Sequence, residues 1–150
     1  MENCGKIMAF NILHSLHSKS HNSIGSVLGP KKFIAYTEDI NAIFRSHRLH
    51  HHCFADDTQM YIATPRTEAH TIAPRLQRCI GGVSDWCGSR RLQLNAAKTE
   101  IIWFGSKSAT DCLSKPDKAI VIANETIQPV ENVRDLGVYL DSELNKQAHM

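Results

Sequence analysis

Two adjacent aspartates, Asp56 and Asp57, stand between two short apolar runs and constrain the fold of this chain more than any other feature. The runs are residues 53–55 (Cys-Phe-Ala) and 60–62 (Met-Tyr-Ile), and both suit a half-buried strand. Aspartate tolerates turn geometry. The pattern therefore predicts an antiparallel hairpin with both carboxylates at or next to its turn, although an ordinary surface loop would carry the same residues.

The composition is that of one folded domain. A chain of 150 residues with 42% hydrophobic content can bury a core. Its net charge of +2 does not by itself require a nucleic acid, so such binding would need local patches. The five cysteines form no C-x-x-C pair, and neither a secretory leader nor a membrane-length apolar run is present. We expect an intracellular protein, cytoplasmic or nuclear, with reduced thiols and no membrane partner.

The segment Phe-Ala-Asp-Asp-Thr-Gln-Met-Tyr, residues 54–61, resembles the aromatic-Ala-Asp-Asp-Thr-Gln box of non-LTR (LINE-type) retrotransposon reverse transcriptases. Phe54 stands where that family usually has tyrosine. The resemblance implies that Asp56 and Asp57 are catalytic and bind Mg²⁺, and that Phe54 lies against the substrate. It also implies an RNA template and a DNA primer as partners.

A second match is Gly-Ser-Val-Leu-Gly-Pro, residues 25–30, which in this family lies beside the template strand and the incoming nucleotide. The resemblance implies that Gly25 and Ser26 contact substrate. The sequence departs from the family at Ile24, where glutamine is usual, and at residues 31–32, where two lysines replace an apolar pair. Apolar residues at helical spacing predict a helix that starts at Pro30.

Residues 72–86 carry an apolar stripe at three-to-four spacing, which predicts a helix across one face of the hairpin's sheet. The helical segment should begin near Arg66 or Thr67, after Pro65 stops the strand, and Pro74 should mark its true start or a kink. The stripe and the Leu-Gln-Leu-Asn run that follows it resemble the family pattern. The stripe consists of Ile72, Leu76, Cys79, Ile80, Val83 and Trp86.

Residues 101–104 (Ile-Ile-Trp-Phe) form an apolar run closed by glycine, which predicts a buried strand in the same sheet. The Lys-Thr-Glu that precedes it resembles a family strand whose lysine lies near the triphosphate and protonates the leaving pyrophosphate. That residue would be Lys98. A lysine at a strand end that simply points into water is an equally good interpretation.

The C-terminal part should hold a polar loop over residues 106–118 and a second hairpin with Asn124-Glu125 at its turn. Residues 133–141 resemble the Leu-Gly-Val strand that supports the primer end in the family. The resemblance implies that Leu136 and Gly137 contact substrate.

The N-terminal segment, residues 1–22, supports only a weak helix and is unassigned, while residues 23–150 are expected to form a partial palm domain. The expected fold is α+β, with antiparallel hairpins packed on helices. In the family a second catalytic aspartate lies on a strand upstream of Gly25, but the only acidic residue there is Glu2. Two-metal catalysis needs carboxylates from separate strands. We therefore expect a C-terminal palm fragment that is inactive alone and self-associates through an unpaired sheet edge.

Two other interpretations remain open. The first is a non-catalytic module that binds nucleic acid or protein. The second is a metal site in the histidine-rich residues 47–53, although alternation along a strand would place His50 and His52 on one face and His51 and Cys53 on the other. Candidate phosphate contacts of the first interpretation are Arg75, Arg78, Arg90, Arg91 and Lys98.

Overall fold

The computed structural model describes residues 6–13, 38–54, 57–135 and 138–142. The strands are β1 (Lys6–Leu13), β2 (His50–Phe54), β3 (Asp57–Pro65), β4 (Glu100–Phe104), β5 (Ile120–Ile122), β6 (Glu125–Ile127), β7 (Asn132–Asp135) and β8 (Val138–Asp141). The helices are α1 (Ile40–Ser46), α2 (Ile72–Ser89), α3 (Lys107–Thr110) and α4 (Lys115–Lys118), with short 3-10 helices over Arg66–Thr71 and Ala96–Lys98. The fold is α+β, with small antiparallel sheets packed on helices, as the sequence predicted.

The main sheet has four strands in the order β2-β3-β1-β4, and every neighbouring pair is antiparallel. β1 therefore lies in the interior of the sheet, between the second arm of the hairpin and β4. The prediction of a weak N-terminal helix is wrong over Lys6–Leu13, which form this strand. Pairing on both sides supplies partners for its backbone and outweighs a weak local helical tendency.

The prediction of an unpaired edge beside the hairpin is also wrong. β3 pairs with β2 on one side and with β1 on the other, from Lys6 opposite Pro65 to Leu13 opposite Thr58. The backbone donors and acceptors that were expected to recruit a second chain are used inside the sheet. This edge therefore gives no reason for self-association.

The helical face of the sheet is covered by α2, as predicted. The apolar stripe of this helix is buried against Met60 and Ile62 of β3 and Ile101 of β4. Pro74 lies in the first turn, where its missing N–H removes no helical hydrogen bond. The helix continues through Gly81 and Gly82.

α1 packs on α2, with Gly82 at a close contact between them. A Cβ atom on Gly82 would lie 3.1 Å from Ile43 Cγ2, whereas a Cβ on Gly81 would meet nothing within 4 Å. The absence of a side chain at Gly82 thus allows the two helices to approach. Part of the predicted helix from Pro30 lies outside the described residues, and the described part starts at Ile40.

Both of these helices end in the same way. In α1, the Leu49 N–H donates to the Phe44 carbonyl and the Arg48 N–H to the Arg45 carbonyl, with Arg48 at φ 56°. In α2, the Leu92 N–H donates to Cys87 and the Arg91 N–H to Gly88, with Arg91 at φ 56°. These are Schellman motifs, in which the left-handed position usually holds glycine. In this protein, both helices have an arginine at that left-handed position.

The face of β4 that points away from α2 is covered by the β7–β8 hairpin. Ile102 and Phe104 of β4 and Val133 of β7 form a small buried cluster there. The β5–β6 hairpin was predicted, but its turn is Ala123-Asn124, one residue earlier than expected, and both residues have positive φ. The region predicted as a polar loop, 106–118, holds the short helices α3 and α4. α3 buries Ala109 in the core, and α4 is capped by the Ser114 hydroxyl, which accepts a hydrogen bond from the Asp117 N–H.

Candidate functional site: the acidic hairpin and its surroundings

The acidic hairpin forms as predicted. Phe54, the last residue of β2, is opposite Asp57, the first residue of β3, and residues 55 and 56 between them lie outside the described residues. β-Branched and aromatic side chains in both arms favour the strands, and the buried Met60 and Ile62 fix which face meets α2. Asp57 therefore begins a strand that is anchored in the core.

Lys98 lies at the same end of the sheet as Asp57. Glu100, two residues after Lys98, is opposite Ile12 of β1, and Ile12 is opposite Gln59 of β3. Two strand spacings, about 10 Å, separate β3 from β4. Lys98 ends the 3-10 helix that leads into β4, and its side chain is exposed.

The strand between them carries no carboxylate. β1 reads Lys-Ile-Met-Ala-Phe-Asn-Ile-Leu, and no acidic residue occurs from residue 3 to residue 37. Glu100 is the carboxylate of β4, and it lies two strands away from the hairpin. Adjacent aspartates on one turn do not by themselves clamp two ions. The described donor set therefore does not fit a two-metal centre.

The histidines of β2 alternate between the two faces, as predicted. On one face, His50 and His52 stack on Tyr61, with ring centroids 5.0 and 6.0 Å apart. On the other face, the His51 ring stacks on Phe44 at 4.5 Å and hydrogen-bonds Asn41 at 2.7 Å. Among the described residues, no three His, Cys, Asp or Glu side chains are grouped to hold a metal ion.

The surroundings of His51 shift the pKa of its imidazole. Burial lowers the pKa of His51, and the positive charges of His52, Arg45 and His50 lower it further. The imidazole therefore remains neutral to lower pH than an ordinary histidine. The partners of this ring could not be predicted from the sequence, because α1, and not the strand itself, supplies both Phe44 and Asn41.

The five candidate phosphate-binding cations do not form one surface. The Arg90 guanidinium forms an ion pair with Asp39 and lies over the Trp86 ring, 5.6 Å from its centroid. The Trp86 indole N–H donates to the same Asp39 carboxylate at 3.0 Å. This cluster joins the start of α1 to the end of α2. Arg91 follows the same end of α2.

The other two arginines line a pocket that sequence reasoning missed. It has a volume of about 610 Å³ and lies where α1 ends and α2 begins. We call it the arginine pocket. Its lining residues are Ser46, His47, Arg48, Thr71, Arg75 and Arg78. No local sequence pattern predicts this pocket, since the whole hairpin separates the two segments that line it.

Five of the predicted site residues cannot be placed. Gly25, Ser26, Asp56, Leu136 and Gly137 lie outside the described residues. β7 and β8 flank residues 136–137 and pair antiparallel, with Asp135 opposite Val138. No described helix is both long enough and apolar enough to cross a membrane.

A family model described as reverse transcriptase (RNA-dependent DNA polymerase) matches residues 6–140 of the chain. The match begins at the first residue of β1 and ends within β8. No curated protein and no solved structure matches the chain.

Proposed function

Because the chain belongs to the reverse transcriptase family, matched over residues 6–140, we propose that it is a palm module of a non-LTR (LINE-type) retrotransposon enzyme that does not add nucleotides by itself. The non-LTR assignment is supported by two segments, residues 54–61 and 25–30, which resemble motifs of that group. In this proposal, the acidic hairpin is the remaining part of the polymerase site.

The observation that carries the proposal is the composition of β1. This strand lies directly beside β3, and Leu13 is opposite Thr58, the residue after Asp57. A carboxylate that shares metal ions with Asp57 would have to come from this neighbouring strand, and β1 has none. Without a second carboxylate on a separate strand, two ions cannot be held about 3.5–4 Å apart.

The remaining groups have roles limited to positioning and charge. In the proposal, Asp56 and Asp57 hold at most one divalent ion, since carboxylate oxygens are hard ligands suited to Mg²⁺. Lys98, exposed at the same end of the sheet, supplies a positive charge beside an anionic substrate. Gly25, Ser26, Phe54, Leu136 and Gly137 are proposed as substrate contacts.

A primer-extension assay tests the proposal. The purified chain is incubated with a primed RNA template and deoxynucleotides, in Mg²⁺ and separately in Mn²⁺. We expect no extension above the level of an Asp56→Ala variant in either metal. Extension by the native chain that is abolished in Asp56→Ala would overturn the proposal, because it would show that the hairpin completes a working site.

A further inference from the structure

We propose that the arginine pocket binds a phosphate group of an RNA strand, at a site separate from the acidic hairpin. The pocket lies at the opposite end of the hairpin from its turn, because residues 46–48 directly precede β2 and residues 71–78 follow β3. At least the five residues of β2, about 16 Å of strand, lie between pocket and turn. The inference rests on the pocket and does not depend on whether the hairpin is catalytic.

The charge of the lining favours an anion. Arg48, Arg75 and Arg78 contribute three guanidinium groups, and no carboxylate is among the lining residues. In the described part of the chain, the Arg48 and Arg78 side chains form no ion pair, in contrast to Arg90. Three cations that converge without a counterion repel one another, and an anion between them removes that repulsion.

Arg75 is held in place before any ligand binds. Its Nη2 donates to the carbonyl oxygens of His47 and Arg48, at 3.1 Å each. These are carbonyls at the C-terminal end of α1, where helical partners are lacking. A guanidinium has five N–H donors, so the remaining ones can meet a phosphate. Because the side chain is already ordered, little conformational entropy is lost on binding.

The two hydroxyl groups of the lining already donate elsewhere, so the arginines supply its permanently charged donors. The Ser46 hydroxyl donates to the Ile43 carbonyl at 2.7 Å, and the Thr71 hydroxyl donates to the Glu68 carbonyl at 2.8 Å. A site whose free donors are guanidinium forks matches phosphate oxygens, which accept two parallel hydrogen bonds from one arginine.

The size of the pocket points to a group larger than an isolated ion. Its volume of about 610 Å³ lies within the range of roughly 300–1,000 Å³ that is typical of ligand sites. A nucleotide unit of a strand fits such a space. The family match to an RNA-dependent polymerase makes RNA the phosphate source to which we commit.

Two arginines in equivalent backbone positions provide a matched test. Arg48 and Arg91 both occupy the left-handed position of a Schellman motif, at φ 56°. Replacing either by glycine removes one positive charge and suits the backbone, so neither variant should unfold the chain. Only Arg48 lines the pocket. Arg91 follows the far end of α2, an 18-residue helix about 27 Å long.

The experiment measures the affinity for a labelled 20-nucleotide single-stranded RNA as a function of salt. Arg48→Gly and Arg78→Gln should each weaken binding roughly fivefold and reduce the slope of log K against log salt by about 0.7. Arg91 was also a candidate phosphate contact in the sequence, but it does not line the pocket, so Arg91→Gly should change affinity less than twofold. Inorganic phosphate should compete with the RNA only at much higher concentration.

Three outcomes would overturn the proposal. Equal losses in Arg48→Gly and Arg91→Gly would show nonspecific charge attraction without a built site. Inorganic phosphate that binds with the same affinity as RNA would show a free-phosphate site. A polyglutamate peptide that binds more tightly than RNA, with the same dependence on Arg48, would show a site for acidic protein segments.

Discussion

Leu13 and Thr58 lie directly opposite each other in the ladder that joins β1 to β3. This pair places the end of the first strand beside the start of the acidic arm of the hairpin. It explains two properties together: β3 is paired on both sides, and its neighbour β1 offers Asp57 no carboxylate. The backbone of β3 is therefore paired in the sheet, although β1 supplies no carboxylate beside Asp57.

The two consecutive glycines of α2 should respond differently to alanine. Gly81→Ala should raise the free energy of unfolding by about 0.5–1 kcal/mol, because it adds helix propensity at an exposed position with open space. Gly82→Ala should be less stable than Gly81→Ala by roughly 1 kcal/mol or more, because its Cβ would crowd Ile43. Urea denaturation of both variants measures this. Equal stabilisation would mean that the helices do not approach at Gly82.

The thiols should divide into two reactivity classes. Cys53 and Cys112 are exposed, whereas Cys79 and Cys87 are buried. Burial raises the pKa of Cys79 to about 12 and that of Cys87 to about 11. At pH 8, iodoacetamide followed by peptide mass spectrometry should show the buried pair reacting at least about a hundredfold more slowly, since reaction requires opening of the fold.

The same two thiols should make the protein sensitive to alkali. Their folded pKa values exceed the ordinary value of 9.0, so their stabilising contribution is complete below pH 9 and declines from there towards pH 11–12. Rapid labelling of Cys79 and Cys87 at pH 8 in the absence of denaturant would contradict the expected slow alkylation of these thiols. It would also contradict their expected effect on stability in alkali.

His51 should contribute to loss of stability in mild acid. Its pKa is lowered by burial and by His52, Arg45 and His50, so protonation is easier in the unfolded chain. The folded state therefore loses stability as the pH falls below the ordinary pKa of 6.5. His51→Gln should show a smaller drop in melting temperature between pH 7.5 and 5.5 than the native chain. His70→Gln, at an exposed position, should show the native drop.

The hairpin was predictable because its signal is local. Two short apolar runs on either side of Asp56-Asp57 predict both arms of the hairpin, whatever else surrounds them. The α2 stripe was predictable for the same reason. Lys98 lies next to β4, as the sequence predicted, and its side chain is exposed.

β1 was not predictable from its own residues. Ile7, Phe10 and Leu13 recur at helical spacing, while Phe10 and Ile12 alternate as in a strand. Pairing with β3 and β4, about 50 and 90 residues away in the chain, decides between these periods. The arginine pocket depends likewise on helix packing that brings Arg48 to Arg75, and no local pattern encodes it.

The carboxylate-free segment 6–13 is the strand beside the acidic hairpin. Met8 is opposite Ala63 in the register, so their Cα atoms should be about 4.5–5.5 Å apart, within the range that a disulfide spans. The direct measurement is oxidation of a Met8→Cys/Ala63→Cys double variant, followed by nonreducing peptide mapping. The Ala9→Cys/Ala63→Cys variant is the control, because residues 9 and 63 belong to opposite faces of the sheet. We predict a high yield of the 8–63 disulfide and little 9–63 product. If the 8–63 disulfide does not form, or if both disulfides form in equal yield, segment 6–13 does not pair with β3 in this register.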